Sequence, residues 1–309
     1  MMKDTTQKIP PSYMSSSETR RCNGRITDIL SLFLNFSADR FDLAKTRAFA
    51  EECGLTRETA LVHLIAAAFG VEADGADRAF FENYFPYMIT ELDAEEFRRD
   101  PYYRNVTVPC VRSGGWEMKS EELKAGEAFV RRDFIVTDDG RLIPQIGYFT
   151  EPFEYPAVLE GGREWMTLMP NETVTTAPAI DAASGKVLTY GLGLGYFAYM
   201  ASEKESVSSV TVVEKSPEVI DLVTRFIVPQ FPQKEKIKIV CSDAFDYAEH
   251  VAPRERYDFV FSDIWRDAGD GRDLMLKMKE YEKLSPESRY MYWLEDTINC
   301  YLDPDLWPL

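Results

Sequence analysis

Residues 186–202 read KVLTYGLGLGYFAYMAS. Val187, Leu188, Thr189 and Tyr190 have strand character and run into Gly191-Leu192-Gly193-Leu194-Gly195, and an apolar helical segment follows at once. A strand, a glycine turn and a helix suit a nucleotide-sized ligand. The glycines permit tight geometry and close approach, and a helix start presents unpaired N–H groups. The elements on either side decide which nucleotide.

Downstream, strands and helices alternate. Residues 210–213 are β-branched and apolar and end at Glu214. Ser216 and Pro217 then open a helix with Ile220, Leu222, Val223 and Phe226 at apolar positions. Residues 237–240 predict a third strand, closed by Cys241-Ser242-Asp243 and a short helix towards His250. Residues 257–261 predict a fourth, finishing at Ser262-Asp263, with a helix over 272–284 and a fifth strand near 290–294. This alternation predicts an α/β domain: a doubly wound, mostly parallel sheet with helices on both faces. Its ligand sits at the carboxyl ends of the strands, where their order reverses.

Four strand ends carry the glycine turn, Glu214, Asp243 and Asp263. Glu214 lies 23 residues after Gly191, close to the roughly 20 expected of an acid that binds a ribose diol. Any one of these acids alone reads equally well as a solvated loop residue. All of them in register at strand ends point to a ligand.

Upstream, residues 1–22 are polar, with Pro10-Pro11, and predict a loose tail. Residues 23–127 predict a helical domain. Ile29, Leu30, Phe33 and Leu34 share a face, Asp42 offers a cap for a helix ending near Gly54, and Thr56 opens another that stops at Gly70. Pro86 breaks a further helix over 77–92. Its aromatic run, RAFFENYFPYM, reads more simply as packing than as an aromatic wall for a planar or cationic substrate. Near residue 128 the period becomes alternating, and FVRRDFIVTDDGRLIPQIGYF predicts a β-hairpin turning at Asp138-Asp139-Gly140. Residues 128–170 thus form a hairpin and linker region. Residues 171–309 form the nucleotide domain, entered by a helix from about Asn171 to Gly185.

With 309 residues, 45% hydrophobic and 28% charged, the chain has room for a sizeable core and two domains. Its net charge of −17 argues against nucleic acid or an anionic membrane as partner. No apolar run reaches the roughly 18 residues of a membrane span, and the first residues lack the apolar core of a secretory signal. Cys22, Cys53, Cys110, Cys241 and Cys300 are scattered without metal-ligand spacing, which reads as reduced thiols in the cytoplasm. His63 and His250 are the only histidines and read as helix residues, so neither a histidine-rich metal site nor a Ser-His-Asp site is expected.

Residues 186–263 resemble a class I S-adenosylmethionine-dependent methyltransferase, a Rossmann-like fold. GLGLG matches that family's GxGxG turn, VVEK its second-strand acid, SDAFDY its adenine-contacting acid and YDFVFSDIW its fourth strand. The resemblance implies a cofactor site of Tyr190, Gly191, Gly193, Gly195 and Tyr196 along the turn, with Glu214 and Lys215 at the ribose. Asp243, Ala244 and Phe245 would meet the adenine. Asp263 would sit beside the methyl as the catalytic residue that orients or deprotonates a small-molecule acceptor. The hairpin ahead of the nucleotide domain, with GREWMTLMPNE leading in, is similar in layout to spermidine synthases.

Three departures shape the reading. Where many methyltransferases carry an acid two residues before the first glycine, this chain has Thr189. Where spermidine synthases carry the acid of GGGDG it has Leu194, which turns the reading from aminopropyl to methyl transfer. Few residues follow the fifth strand, so the antiparallel pair that usually completes the sheet has little room. A nicotinamide fingerprint would need a small residue at 196, where Tyr196 stands, which weighs against a dehydrogenase. A cytoplasmic methyltransferase is therefore expected, with a homodimer as its candidate assembly. The alternative is a non-catalytic protein that uses the same fold to bind a ligand.

Overall fold

The computed structural model describes residues 9–38 and 43–308, and they divide into two compact units. The first joins the residues up to Glu96, Glu122–Phe153 and those from Asn299; the second joins Phe97–Glu121 and Glu154–Ile298. The units are interleaved along the chain, whereas the sequence suggests consecutive segments. In chain order the strands are β1 (Ile89–Leu92), β2 (Val111–Ser113), β3 (Trp116–Leu123), β4 (Phe129–Val136), β5 (Leu142–Phe149) and β6 (Phe153–Glu160). Then come β7 (Arg163–Thr167), β8 (Gly185–Tyr190), β9 (Val207–Glu214), β10 (Ile237–Cys241), β11 (Phe259–Ser262) and β12 (Arg289–Tyr292).

The second unit is built on a sheet ordered β10-β9-β8-β11-β12, every neighbouring pair parallel. The first strand of this series lies in the middle, its successors run to one side, and the order reverses between β8 and β11. This is the Rossmann-like, doubly wound arrangement. Val187, Leu188, Thr189 and Tyr190 of β8 are each at most 1% exposed. Burial without alternation marks a strand covered on both faces.

The connecting helices are Pro170–Ala182, Tyr196–Ser202, Pro217–Phe226, Ala244–His250 and Ala268–Lys279. Ser216 and Asp243 cap two of them through their side chains, as short polar residues do at helix starts. The helix expected over 272–284 begins earlier, because Asp267 and Asp270 form a reciprocal cap, and it ends at Lys279. After β12 the chain enters the helix Glu295–Leu302, so this sheet has five strands among the described residues. The segment ahead of β8, expected as a linker after the hairpin, includes β6 and β7, an antiparallel pair in the sheet β2-β3-β6-β7.

The first unit packs helices on the sheet β1-β5-β4. Its core includes Phe33, Ile65, Tyr84, Phe85, Met88 and Ile146, so most of the RAFFENYFPYM aromatics serve packing. Arg78–Tyr84 is helical and gives way to a 3-10 turn, Phe85–Tyr87, at Pro86, which lacks an N–H to continue the helix. The β4-β5 hairpin turns where expected, with Gly140 at φ 78°. The first helix runs Ser16–Phe36 and begins well before residue 23, inside the expected tail, because Ser15 and Glu18 form a capping box. Residues 1–8 of that tail, and Asp42, lie outside the described residues.

Beside the hairpin turn, Arg141 is fully buried. Its Nε donates to both Asp139 oxygens at 3.0 and 3.1 Å, its Nη1 to Asn83 O at 2.8 Å and its Nη2 to Pro10 O. Burial opposes ionisation of Asp139, but hydrogen bonds from Thr137, Ser12 and Arg141 hold its carboxyl well below the usual range. Arg141→Ala would take the counter-ion from that carboxylate and a donor from two carbonyls. A loss of about 3 kcal/mol or more is expected, read from urea midpoints.

Candidate functional site

The turn after β8 has positive φ at Gly191 (96°), Gly193 (50°) and Gly195 (77°). At Gly191 the constraint is also one of approach. A Cβ there would lie 2.0 Å from the carbonyl oxygen of Asp263, the residue that follows β11. Asp263 N–H donates to Tyr190 O at 2.9 Å and Gly191 N–H to Val213 O at 2.9 Å, so the ends of β8, β9 and β11 meet at this glycine. At Gly193 a Cβ would lie 2.0 Å from Met166 Sδ, and Leu194 N–H donates to that sulfur at 2.9 Å. Gly195 opens the helix Tyr196–Ser202, where a Cβ would lie 3.0 Å from the Phe231 ring.

Glu214, the last residue of β9, is 5% exposed. Its Oε2 accepts from Leu192 N–H at 3.1 Å and its Oε1 from Ser216 N–H at 2.9 Å, which fixes the carboxylate against the turn. Each oxygen keeps a second lone pair for a ligand hydroxyl. Asp243 is exposed and caps its helix through Oδ1, taking Phe245 N–H at 2.8 Å and Asp246 N–H at 3.2 Å. Ala244 is buried, and the half-buried Phe245 ring carries the Lys277 ammonium 3.9 Å from its centroid. Lys215 points to solvent.

Against the turn lies a cavity of about 20 Å³, bounded by Met166, Glu172, Thr189, Gly191, Tyr196 and Asp263. It has room for about one water molecule. Neither the Glu172 nor the Asp263 carboxyl accepts a hydrogen bond from the described residues. Both retain partial solvent contact, yet protein encloses them on most sides. Burial pushes Asp263 up to about 7. Burial, with the neighbouring Asp263 charge, pushes Glu172 well above the carboxylate range. The pair therefore gives up its protons in two steps rather than together.

Thr189 stands on this cavity where the resemblance leads one to look for an acid, and Glu172 brings a carboxyl to the same place. Glu172 and Met166 are absent from the set drawn from the sequence. The available signal was Glu172 in MPNE, the acid of the first turn of Pro170–Ala182. Tyr190 lies outside the group. Successive strand residues face opposite ways, so with Thr189 on the cavity Tyr190 turns to the other face, its ring centroid 6.4 Å from that of Tyr247. His250 ends its helix, Nδ1 3.1 Å from Asp246 O, away from this cavity.

A second layer steadies the turn. Tyr102 is fully buried, its hydroxyl donates to Leu194 O at 2.7 Å, and its N–H donates to Asp100 Oδ1 at 2.8 Å. Tyr196 hydroxyl donates to Asp100 Oδ2 at 2.9 Å, and Tyr103 hydroxyl donates to Leu168 O. Burial pushes the Asp100 carboxyl up despite these donors.

No family model and no curated protein matches the chain. Among solved structures it is similar to precorrin 8W decarboxylase of Methanobacterium thermoautotrophicum, at 15% identity over 40% of this chain and 62% of that one, TM-score 0.30. It is similar to spermidine synthase of Thermotoga maritima, at 14% identity over 44% and 45%, TM-score 0.32. It is also similar to a methyltransferase of Streptomyces caelestis, at 20% identity over 39% and 49%, TM-score 0.30. In each case it spans less than two thirds of the other chain's length.

Two outcomes are expected of this geometry. Gly193→Ala should cost roughly 1–3 kcal/mol, part of it recovered in a Met166→Ala background, as a double-mutant cycle of urea midpoints will show. Stability should also fall with rising pH. Both carboxyls are protonated at low pH; above about 4 the unfolded chain ionises first. The folded state then loses ground until Asp263 titrates near 7. Asp263→Asn should flatten that fall, measured as the difference in urea midpoint between about pH 5 and about pH 8.

Proposed function

We propose that the second unit binds S-adenosylmethionine and transfers its methyl group to a small-molecule acceptor bearing an amine or hydroxyl. The observation that carries this reading is the cradle at the reversal of strand order. There Gly191 has no room for a Cβ, Glu214 is held on the glycine turn, and Asp263 stands at the next strand end. The residues fit the nucleoside half directly. Glu214 would hold the ribose hydroxyls beside Lys215, Asp243 the adenine amine through Oδ2, and Ala244 and Phe245 the ring. Towards the methionine half, Gly191, Gly193, Gly195 and Tyr196 shape the wall, and the Met166 side chain has to withdraw before a ligand can reach Gly193.

When bound, S-adenosylmethionine supplies an electrophilic methyl on a sulfonium. The acid-lined cavity suits that positive charge, and Glu172 or Asp263 can receive the methionine ammonium that Thr189 cannot. Asp263, with a carboxyl that titrates near neutral pH, is matched to taking a proton from the acceptor. Enclosure around Met166, Leu168 and Phe197 keeps water from the reacting groups. Met166 seated on Gly193 favours a second reading, a non-catalytic protein that binds a ligand through the same fold.

Calorimetry with S-adenosylmethionine and S-adenosylhomocysteine tests the proposal. Glu214→Ala should weaken binding by roughly 1–3 kcal/mol, because ribose hydroxyls lose their acceptor. Asp263→Asn should lower turnover far more than affinity. No binding at high micromolar concentration removes the cofactor from the proposal. Binding without methyl transfer to amines, phenols or carboxylates selects the second reading.

A further inference from the structure

The segment Phe97–Glu121 belongs to the second unit, although the chain on either side of it belongs to the first. Within it Asp100 and the short helix Pro101–Asn105 form a strap that reaches the glycine turn from outside the strand, turn and helix. The turn needs such support. Gly193 and Gly195 flank Leu194 with positive φ, and a glycine on each side gives this stretch more backbone conformations than other residues would. Gly195 N–H donates to Leu192 O at 2.8 Å. Leu194 O, in the same peptide unit, accepts from the Tyr102 hydroxyl at 2.7 Å. That peptide is therefore pinned at both ends of its dipole, at one end by a residue 92 positions away in sequence.

Tyr102 can select a conformation because its own place is fixed. It is fully buried. Its N–H donates to Asp100 Oδ1 at 2.8 Å, while Asp100 Oδ2 accepts from the Tyr196 hydroxyl at 2.9 Å. One carboxyl thus ties the strap to the first residue of the helix that follows the turn. The Tyr102 ring meets those of Tyr196, Tyr199 and Phe231 edge-on, with centroids 5.6, 5.5 and 6.2 Å away. Phe231 is the ring that bounds Gly195. Burial pushes the Tyr102 phenol above its ordinary range, so the hydroxyl keeps its proton and stays a donor.

We infer that Tyr102 is a positioning residue for the glycine turn: its hydroxyl selects the backbone conformation in which the turn receives a nucleoside ligand. This rests on the reading of the turn as the cofactor site. Tyr102 is not among the residues that bound the cavity, so it acts through Leu194. A loop already held in its bound conformation lowers the ordering cost of binding. Tyr199 supplies the control. Its hydroxyl accepts from Asn105 Nδ2 at 2.9 Å and donates to Pro101 O at 3.4 Å. Tyr199→Phe therefore removes a hydroxyl from the same aromatic cluster whose partners lie outside the turn.

The test is hydrogen–deuterium exchange of the full chain without ligand, read on peptides spanning residues 191–197 with β9 as internal reference, followed by calorimetry with S-adenosylhomocysteine. Tyr102→Phe should speed exchange at the turn at least about threefold, leave β9 unchanged and weaken S-adenosylhomocysteine roughly three- to tenfold. Tyr199→Phe should do none of this. Unchanged exchange at the turn in Tyr102→Phe overturns the inference, as do equal acceleration of β9, equal effects of Tyr199→Phe, or unchanged affinity in Tyr102→Phe. If the unmutated chain binds no S-adenosylhomocysteine, the cofactor reading fails, and exchange at the turn, which needs no ligand, decides whether Tyr102 positions it. If Tyr102→Phe does not fold, Asp100→Asn, which takes away one of the two acceptors that seat the strap, must speed exchange at the turn in its place. Unchanged exchange there overturns the inference.

Discussion

The approach of Gly191 to the Asp263 carbonyl is the contact on which the second unit depends. β8 and β11 are parallel neighbours, and Asp263 N–H reaches back to Tyr190 O across their ends. The chain leaving β8 must therefore cross the end of β11 with no side chain at the crossing. Gly191 meets that demand and also the positive φ that the crossing imposes. Because the turn bends there, Leu192 N–H faces Glu214 and the helix Tyr196–Ser202 starts close to the sheet. A Cβ at this one position would separate strand ends that bring Thr189, Glu214 and Asp263 around one turn.

The carboxylates near the turn are of two kinds. Glu214 and Asp243 accept backbone N–H groups, which hold each carboxylate in place. Asp263 and Glu172 share a small cavity with no basic group among its described lining residues. Burying acids without donors destabilises a fold unless they stay protonated, and their raised pKa values express that. Such an arrangement is unfavourable for the empty protein and suits chemistry that brings a cation or moves a proton.

Much of the second unit was legible because its signals are local. β-branched runs marked the strands, and Ser216-Pro217 and Asp243 marked helix starts. The acids at strand ends followed from the direction of a parallel sheet. What stayed hidden depends on contacts between distant residues. Glu172 meets Asp263 across 91 residues of sequence, and helical periodicity does not say which strand end the first turn will face. Met166 reads as an ordinary strand residue until Gly193 is beneath it. The side of Tyr190 followed from alternation once Thr189 was on the cavity, and only the fold puts it there. The interleaving of the two units has the same origin, since Asn23 Nδ2 donates to Leu306 O at 2.7 Å, a contact without local pattern.

Thr189 and Glu172 bear on how far a motif can stand for a site. A motif fixes an acid at one sequence position, but a cationic ligand responds only to the field where it lies. Thr189 leaves β8 without a charge there, and Glu172 brings a carboxyl to the same cavity from the start of a helix that precedes the strand. The two placements differ in their chemistry. An acid on an otherwise polar turn stays ionised, whereas burial and the neighbouring Asp263 charge push the Glu172 carboxyl well above the carboxylate range. A cationic ligand bound in this cavity would then be coupled to proton release from the pair, a coupling that an acid at position 189 would not create.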